Sequence, residues 1–202
     1  MSTSPLSGTL LRFTEPRPYR WTRDDYDLLY DAGWFADRRV QLIDGCFIEF
    51  PIQSNLHAAS VTLTSDELTK AFGSAFWVRI LGELNVSRHS LPKPDLAVVP
   101  GRPRDYEELD TPTTALLAVE VSETTVDFDR NQKGCLYAAS GIADFWIVNP
   151  VDRQIEVYRD PLADASRPFG FRYGSRVILD PPDIVSPLAL PQAQILVADL
   201  LP

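Results

Sequence analysis

Residues 115–122 read ALLAVEVS, an apolar run in which Glu120 is the single charged side chain. Continuous apolarity over this length indicates a β-strand that is covered on both faces, as in the centre of an α/β sheet. A second apolar run, FWIV at residues 145–148, predicts another such strand, and the residues between the two runs have a helical pattern. This order of elements predicts an α/β fold with a mixed central sheet flanked by helices.

The chain before residue 115 alternates helical and strand-like patterns. Thr22 and Asp25 have the spacing of an N-terminal capping box, and we expect the apolar side of the following helix, which includes Tyr30, to lie in the core. The dipeptide Asp44–Gly45 tolerates positive φ and predicts the two-residue turn of a β-hairpin. In order, the predicted elements are a helix ending near Gly33, hairpin strands at 40–43 and 46–50, a helix over 55–72, strands at 76–80, 83–86 and 96–99, and a loop over 100–112.

The chain after residue 122 predicts one helix followed by short strands. Asp127 or Asp129 is expected to cap the helix, which ends at Ser140–Gly141. We expect residues 1–18 to form an N-terminal arm and residues 19–202 to form a single domain. The predicted strands are 145–149, its hairpin partner 155–158, and the two pieces 169–173 and 177–179, followed by a proline-rich tail that closes with residues 195–200.

The composition limits the partners of the protein. The chain has 202 residues, with 19 Lys and Arg against 28 Asp and Glu, so its formal net charge is −9. Such a charge argues against a module that simply coats nucleic acid, unless a basic cleft or a bound cation reverses the sign locally. Cys46 and Cys135 are the only cysteines, which disfavours a zinc site and a disulfide framework and favours a reducing cytoplasm. Since no segment resembles a signal peptide or a membrane span, we expect a cytoplasmic protein without a membrane partner.

Two carboxylates at apolar strands are the candidates for chemistry. Asp95 follows Pro94 directly and begins one strand, and Glu120 lies near the end of another. An unpaired carboxylate in a covered strand is costly, so each needs a cation, a hydrogen-bond donor or solvent. Lys133 on the following helix completes a set typical of metal-dependent hydrolysis, in which carboxylates hold Mg²⁺ and an ammonium stabilises charge on a phosphate. Taken singly, Pro94–Asp95 is also a common turn dipeptide, and Lys133 is also an ordinary solvated helix residue.

A succession of motifs along the chain resembles a known family. In order, the motifs are QLIDG at 41–45, His57, PD at 94–95, VEVS at 119–122, Asp129 with Lys133 and Tyr137, Gly141, and FWIV at 145–148. The sequence resembles the Uma-type family, described as putative restriction endonucleases, within the PD-(D/E)XK nuclease superfamily. The resemblance is strongest over residues 19–158. It implies a restriction-endonuclease-like fold, with the N-terminal helix and β-hairpin preceding the central sheet.

The resemblance implies a metal-dependent endonuclease that hydrolyses nucleic-acid phosphodiester bonds with a Mg²⁺-activated water. It makes Asp95 and Glu120 ligands of Mg²⁺ or Mn²⁺, adds the main-chain carbonyl of Val121 as a further ligand, and makes Lys133 the catalytic lysine. Ser122 stands where the superfamily motif has its own lysine, so in this family the adjacent helix supplies the ammonium. The resemblance also implies a bacterial protein with DNA as its substrate, and it leaves a homodimer open.

One position departs from the family pattern. Gln41 stands where the family usually has Glu, and because a neutral amide brings no charge to a metal site, we expect weaker metal binding. His57 and Tyr137 are further candidates for accessory roles, although we interpret His57 first as an ordinary surface or core histidine and Tyr137 first as a packing residue. The departure leaves open a catalytically weakened or inactive nuclease-fold protein that acts in binding or assembly. Hydrolysis of a smaller phosphate ester is a third hypothesis, for which the sequence offers no glycine-rich phosphate loop.

Overall fold

The computed structural model describes residues 15–106 and 111–202. Residues 1–14 of the predicted arm and residues 107–110 of the predicted loop lie outside the described residues. In the described part, none of the helices combines the length and the apolar character that crossing a membrane requires. The helices are α1 (Arg23–Asp31), α2 (Asn55–Phe72), α3 (Val126–Phe128) and α4 (Gly134–Ala139), with a π-helical turn (Asp129–Lys133) between the last two. The strands are β1 (Arg39–Ile43), β2 (Cys46–Phe50), β3 (Phe76–Ile80), β4 (Leu96–Pro100), β5 (Leu117–Val121), β6 (Asp144–Asn149), β7 (Gln154–Ala163), β8 (Phe171–Leu179), β9 (Ile184–Val185) and β10 (Ile195–Leu196).

A mixed sheet forms the centre of the described fold. Its strand order is β3-β4-β5-β6-β7-β8, in which β5 and β6 run parallel and the other neighbouring strands are antiparallel. On one face, Leu68 of α2 and Trp146 of β6 belong to the same apolar cluster. On the other face, the ring centroids of Tyr137 in α4 and Phe145 in β6 are 5.2 Å apart. The prediction of an α/β fold with a mixed central sheet flanked by helices is confirmed.

The two apolar runs of the sequence form neighbouring central strands. Every residue of β5 and of β6 is buried, including Glu120, Asp144 and Asn149. Helices cover both faces of the sheet here, so the side chains on both sides of each strand are buried. This explains why the two runs are continuously apolar. The prediction of a doubly covered strand over residues 115–122 is confirmed for its central part, β5.

The N-terminal helix and hairpin form as predicted, but the helix buries less than expected. Thr22 and Asp25 make the capping box of α1, and β1 pairs with β2 through the Asp44–Gly45 turn. The expectation that the apolar side of α1 lies in the core is wrong for Tyr30, which is 58% exposed. The reason is that α1 packs against the hairpin through Tyr26, in a small cluster separate from the core of the sheet.

Three predicted strands differ from the structure. Residues 83–86 form a loop, because their N–H groups bond to scattered carbonyls, as from Leu84 to Pro92, and not to a neighbouring strand. The two pieces predicted at 169–173 and 177–179 are wrong as separate strands, since one strand, β8, runs antiparallel to β7 along this length. The proline-rich tail closes with the short strand β10, which is followed by a 3₁₀ turn.

The helix after β5 begins earlier than predicted and contains a π-helical turn. Thr125 precedes α3 as its N-cap residue, so Asp127 and Asp129 lie inside the helical segment and the prediction that one of them caps it is wrong. The segment ends at Ser140, as predicted. π-Helical turns are rare in proteins, and those that occur are often found at functional sites. Here the turn carries Lys133.

Candidate active site

The side chains of Asp95, Glu120 and Lys133 meet in one narrow cavity, which we call the Asp95 cavity. Asp95 directly precedes β4 and Glu120 lies near the end of β5; because these strands are antiparallel, the start of one lies beside the end of the other. Lys133 reaches over them from the π-helical turn. The cavity has a volume of about 40 Å³, enough for an ion or a few waters. The sequence thus predicted a grouping that the folded chain contains, whereas the chemical roles of its members stay predictions.

Asp95 is fixed in place by three hydrogen-bonding groups. Its Oδ2 accepts from the main-chain N–H of Val121 at 2.8 Å and lies 3.2 Å from Nε2 of His57. Its Oδ1 accepts from the side-chain amide of Gln53 at 3.2 Å. The bond from Val121 holds Asp95 against the residue that follows Glu120, so the two acids are anchored to the same strand.

Glu120 has both carboxylate oxygens engaged. Oε2 accepts from Nζ of Lys133 at 2.8 Å, and Oε1 accepts from the hydroxyl of Tyr137 at 2.6 Å. The interpretation of Tyr137 as a packing residue is therefore incomplete, because its ring packs while its hydroxyl holds the acid. A carboxylate oxygen carries two lone pairs, so both oxygens of Glu120 keep the capacity to bind a cation.

Lys133 belongs to a wider group of buried charges. Its Nζ lies 3.7 Å from Oδ1 of Asp129 and 4.7 Å from the ring centroid of Phe50. The other oxygen of Asp129 accepts from the hydroxyls of Ser122 and Thr125 at 2.7 and 2.6 Å. Oδ1 of Asp129 is buried and has no hydrogen-bond donor among the described residues.

The electrostatics of the cluster keep Lys133 charged. Burial raises the pKa of Glu120 to about 8, against the attraction of Lys133 and with the repulsion of Asp129 and Asp95. Burial acts to lower the pKa of Lys133, but the three acids outweigh it and leave that pKa above its ordinary value of 10.5. Burial beside Glu120 also raises the pKa of Tyr137 well above 10. Lys133 and Tyr137 therefore act as hydrogen-bond donors near neutral pH and not as bases.

The structure places His57 in the core, in contact with Asp95. This residue is 8% exposed, so it is a core histidine and not a surface one, and an accessory role in the site stays a prediction. Its Nε2 also lies 3.4 Å from the amide nitrogen of Gln53, whereas its Nδ1 is buried without a partner in the described chain. The sequence analysis missed Gln53, which lies one turn before His57, because this spacing alone carries no chemical signal.

Gln41 lines a neighbouring pocket instead of the Asp95 cavity. Its Oε1 accepts from the N–H of Lys93 at 3.0 Å, and its Nε2 donates to the carbonyl of the same residue at 3.4 Å. The amide thus joins β1 to the segment that leads into β4. The expected contribution of this position to a metal site stays a prediction.

The buried charges are compatible with one further cation. Asp95, Glu120 and Asp129 are 5%, 2% and 2% exposed, while the ammonium of Lys133 lies among them. Within residues 15–106 and 111–202, no three His, Cys, Asp or Glu side chains are arranged to hold a metal ion by themselves. Two carboxylates and the carbonyl of Val121 nevertheless suit Mg²⁺, which keeps several waters when it binds to proteins. Such an ion would replace the proton that the raised pKa of Glu120 favours, and it would offset the negative charge of Asp95.

Comparison with known proteins gives a family match and a match to a solved structure. The family model described as "Uma2: Putative restriction endonuclease" matches residues 23–198, beyond the 19–158 over which the motifs are strongest. No curated protein matches the chain. The chain is similar to a solved structure from Anabaena variabilis ATCC 29413, described as a putative nuclease belonging to DUF820, with a TM-score of 0.65 and 17% sequence identity. The alignment covers 89% of this chain and 96% of that chain, and at this identity it shows a shared fold.

Proposed function

Because the chain belongs to the Uma2 family of putative restriction endonucleases, we propose that it is a metal-dependent endonuclease whose active site is the Asp95 cavity. The family and the fold support a nuclease function at the level of class. The proposal adds that the substrate is DNA, that the bond hydrolysed is a phosphodiester, and that Mg²⁺ or Mn²⁺ is required.

One contact carries the proposal. Nζ of Lys133 lies 2.8 Å from Glu120 in a cavity that Asp95 also lines, although 38 residues of sequence separate Asp95 from Lys133. An ammonium and two carboxylates are costly to bury together, because each must be desolvated. Glu120, whose pKa is raised to about 8, is a perturbed carboxyl group in a cleft, as is typical of active sites.

The residues of the cavity would have different roles in phosphodiester hydrolysis. Asp95, Glu120 and the carbonyl of Val121 would hold the ion, which supplies Lewis-acid polarisation of a phosphate oxygen and a more acidic bound water. Lys133 stays protonated, so it donates hydrogen bonds to the attacking water or to the phosphate oxygen that gains negative charge. Tyr137 keeps Glu120 oriented by its hydrogen bond to Oε1.

Replacing one acid tests the function. We expect the wild-type protein to bind Mn²⁺ and to cleave DNA in its presence, and Asp95→Asn to lose the cleavage and to bind Mn²⁺ at least about tenfold more weakly. Asparagine keeps an oxygen for the N–H of Val121, so the fold should persist, which thermal unfolding checks. Isothermal titration calorimetry and a gel assay on plasmid and oligonucleotide DNA are the measurements.

The control for this experiment is an acid outside the cavity. Asp127 lies on α3 with 94% of its side chain exposed, so Asp127→Asn removes the same charge without touching the site. It should bind Mn²⁺ and cleave DNA as the wild type does. Cleavage that persists in Asp95→Asn would overturn the assignment of the active site.

One observation favours the alternative of a weakened or inactive protein that acts in binding or assembly. Gln41 brings no charge and turns its amide to the main chain of Lys93. We expect Gln41→Glu to bind Mn²⁺ more tightly, because an added carboxylate makes the charge beside the Asp95 cavity more negative. It should lower the stability of the metal-free protein by about 1 kcal/mol, because a carboxylate cannot donate to the carbonyl of Lys93.

Calorimetry and denaturant unfolding of Gln41→Glu separate the two candidates. The matched control is Gln194→Glu, at an exposed position in the C-terminal segment, which should change neither property. Tighter Mn²⁺ binding together with faster cleavage would support an active site weakened by the amide. Unchanged Mn²⁺ affinity would mean that position 41 contributes nothing to the metal site.

A further inference from the structure

Two larger cavities adjoin the Asp95 cavity, and the charges that line them have opposite sign. The first, which we call the acidic cavity, measures about 610 Å³ and shares Glu123 with the Asp95 cavity. Its lining contains the acids Glu49, Glu123, Asp127 and Asp152 and one base, Arg130. A phosphate backbone would be repelled on this side.

The second cavity, which we call the aromatic-basic pocket, measures about 570 Å³ and meets the Asp95 cavity at Arg39, which lines both. Its lining combines three aromatic rings with three cationic side chains and one acid, Asp37. The volume lies within the range of about 300–1,000 Å³ that is usual for ligand sites. The rings and cations are those of Tyr26, Tyr30, Phe35, Arg38, Arg39 and Lys93.

The rings of the aromatic-basic pocket form an ordered stack with one accessible member. Tyr26 is 2% exposed and lies nearly parallel to Tyr30 and to Phe35, with centroid distances of 6.1 and 5.4 Å. The hydroxyl of Tyr26 donates to the carbonyl of Val40, which fixes the middle ring. Tyr30 is 58% exposed, so its ring surface is available to a ligand and does not serve to fill the core.

The cationic side chains of this pocket differ in whether they form an ion pair. Lys93 pairs with Glu83 at 2.9 Å and lies 5.5 Å from the ring centroid of Tyr30. Among the residues that the structure describes, neither Arg38 nor Arg39 makes an ion pair. In a chain of net charge −9, these two guanidinium groups beside an exposed ring form a local site for an anion joined to a planar group.

We propose that the aromatic-basic pocket binds an unpaired base of the substrate strand on Tyr30 and the neighbouring phosphates on Arg38 and Arg39. The inference rests on the proposed function and refines its substrate class: the strand is single next to the bond that is cleaved. Stacking on an aromatic side chain requires an exposed base face, which an intact duplex hides between its base pairs. Because the acidic cavity repels phosphates, the strand has one favourable direction from the Asp95 cavity, over Arg39.

Binding of nucleic acid without metal tests the proposal separately from cleavage. The probe is a short fluorescein-labelled oligothymidine, measured by fluorescence anisotropy in EDTA across a range of salt concentrations, with the matching duplex in parallel. We expect the single strand to bind more tightly than the duplex. Tyr30→Ala should weaken its binding by about 5- to 100-fold, whereas Tyr30→Phe should bind as the wild type does, because stacking needs the ring and not the hydroxyl.

The salt dependence distinguishes the ring from the cations. Arg38→Ala should lower the slope of log affinity against log salt concentration by about 0.7, as expected for one lost phosphate contact to a single strand, and Tyr30→Ala should leave the slope unchanged. The control is Arg104→Ala, an exposed arginine in the 3₁₀ turn after β4, at the end of that strand away from the pocket. It should change neither affinity nor slope.

Each outcome of these experiments either supports or overturns the proposal. Equal binding of duplex and single strand, no binding of oligothymidine, or unchanged binding in Tyr30→Ala would overturn it. Thymidine monophosphate that competes as strongly as the oligomer would overturn it as well, in favour of a free-nucleotide site. If the wild type cleaves DNA while Tyr30→Ala binds normally, the pocket inference fails and the nuclease proposal stands. If Tyr30→Ala weakens binding but the wild type cleaves no DNA, the nuclease proposal fails and the base-binding pocket stands.

Discussion

Replacing Lys133 by methionine is expected to reduce the rate of DNA cleavage by about 10²- to 10⁴-fold while leaving metal binding intact. Lys133 is the ammonium in contact with Glu120, and its raised pKa makes it a donor to charge that develops in the transition state. Methionine keeps the buried stem but removes the charge. Single-turnover cleavage in saturating Mn²⁺ measures the effect.

The same variant separates catalysis from ion binding. Lys133→Met removes an ammonium that competes with Mn²⁺ at Glu120, but it also favours a proton on Glu120 that Mn²⁺ must displace, so the affinity for Mn²⁺ should stay near that of the wild type. The fold should persist, since the pKa of Glu120 is already raised to about 8 and the acid can take up a proton. Lys70→Met on α2 is the control: this lysine has 76% of its side chain exposed, and its loss should change neither rate nor affinity. A normal cleavage rate in Lys133→Met would contradict the catalytic role.

Replacing Glu156 by glutamine is expected to lower the free energy of unfolding by about 3 kcal/mol. Glu156 has no exposed surface and forms ion pairs with Arg130 and Arg176, and its Oε2 accepts from the hydroxyl of Tyr158 at 2.5 Å. The arginines are 28% and 42% exposed, so water can partly solvate them after the carboxylate is lost, which places the effect at the lower end for a buried pair. For a chain of this length the melting temperature should fall by roughly 6–12 °C.

The effect of Glu156→Gln should depend on pH. Burial acts to raise the pKa of Glu156, but the hydrogen bonds from Arg130, Tyr158 and Arg176 outweigh it and leave this pKa below its ordinary value of 4.5. The unfolded chain therefore takes up the proton first as the pH falls, and the stabilisation present at neutral pH is lost progressively below the ordinary value. The difference in melting temperature between wild type and variant should be largest near pH 7 and should decrease as the pH falls below the ordinary value of 4.5.

Differential scanning calorimetry over this pH range checks this prediction. Asp164→Asn serves as the control, because Asp164 pairs with Arg172 at the surface and its loss should shift the melting temperature much less. A difference between wild type and Glu156→Gln that stays constant with pH would show that the carboxylate charge is not what stabilises the fold.

The sequence predicted those parts of the fold and site that depend on local patterns. Charged residues stand out in apolar runs, so the order of residues alone was enough to single out Asp95 and Glu120. The turn at Asp44–Gly45 was equally readable, since the dipeptide itself favours the required φ angles. These features need nothing from distant parts of the chain.

Other features depend on contacts that a pattern does not carry. The contacts of His57 and Gln53 with Asp95 arise when the start of α2 comes to lie beside the residue that precedes β4, and the direction of the Gln41 amide is fixed by the main chain of Lys93, 52 residues away. Tyr30 has the spacing of a core residue, but α1 packs through Tyr26 on a small cluster apart from the sheet, which leaves Tyr30 exposed. Tertiary packing decided each of these cases.

The π-helical turn at Asp129–Lys133 also has a consequence for how relatives of this chain are aligned. Such a turn is equivalent to one extra residue in an α-helix, so a homologue without it would have its lysine one position earlier in the same place. An alignment without a gap between β5 and β6 would then pair Lys133 with the wrong residue. A relative could be scored as lacking its ammonium although the folded protein presents one.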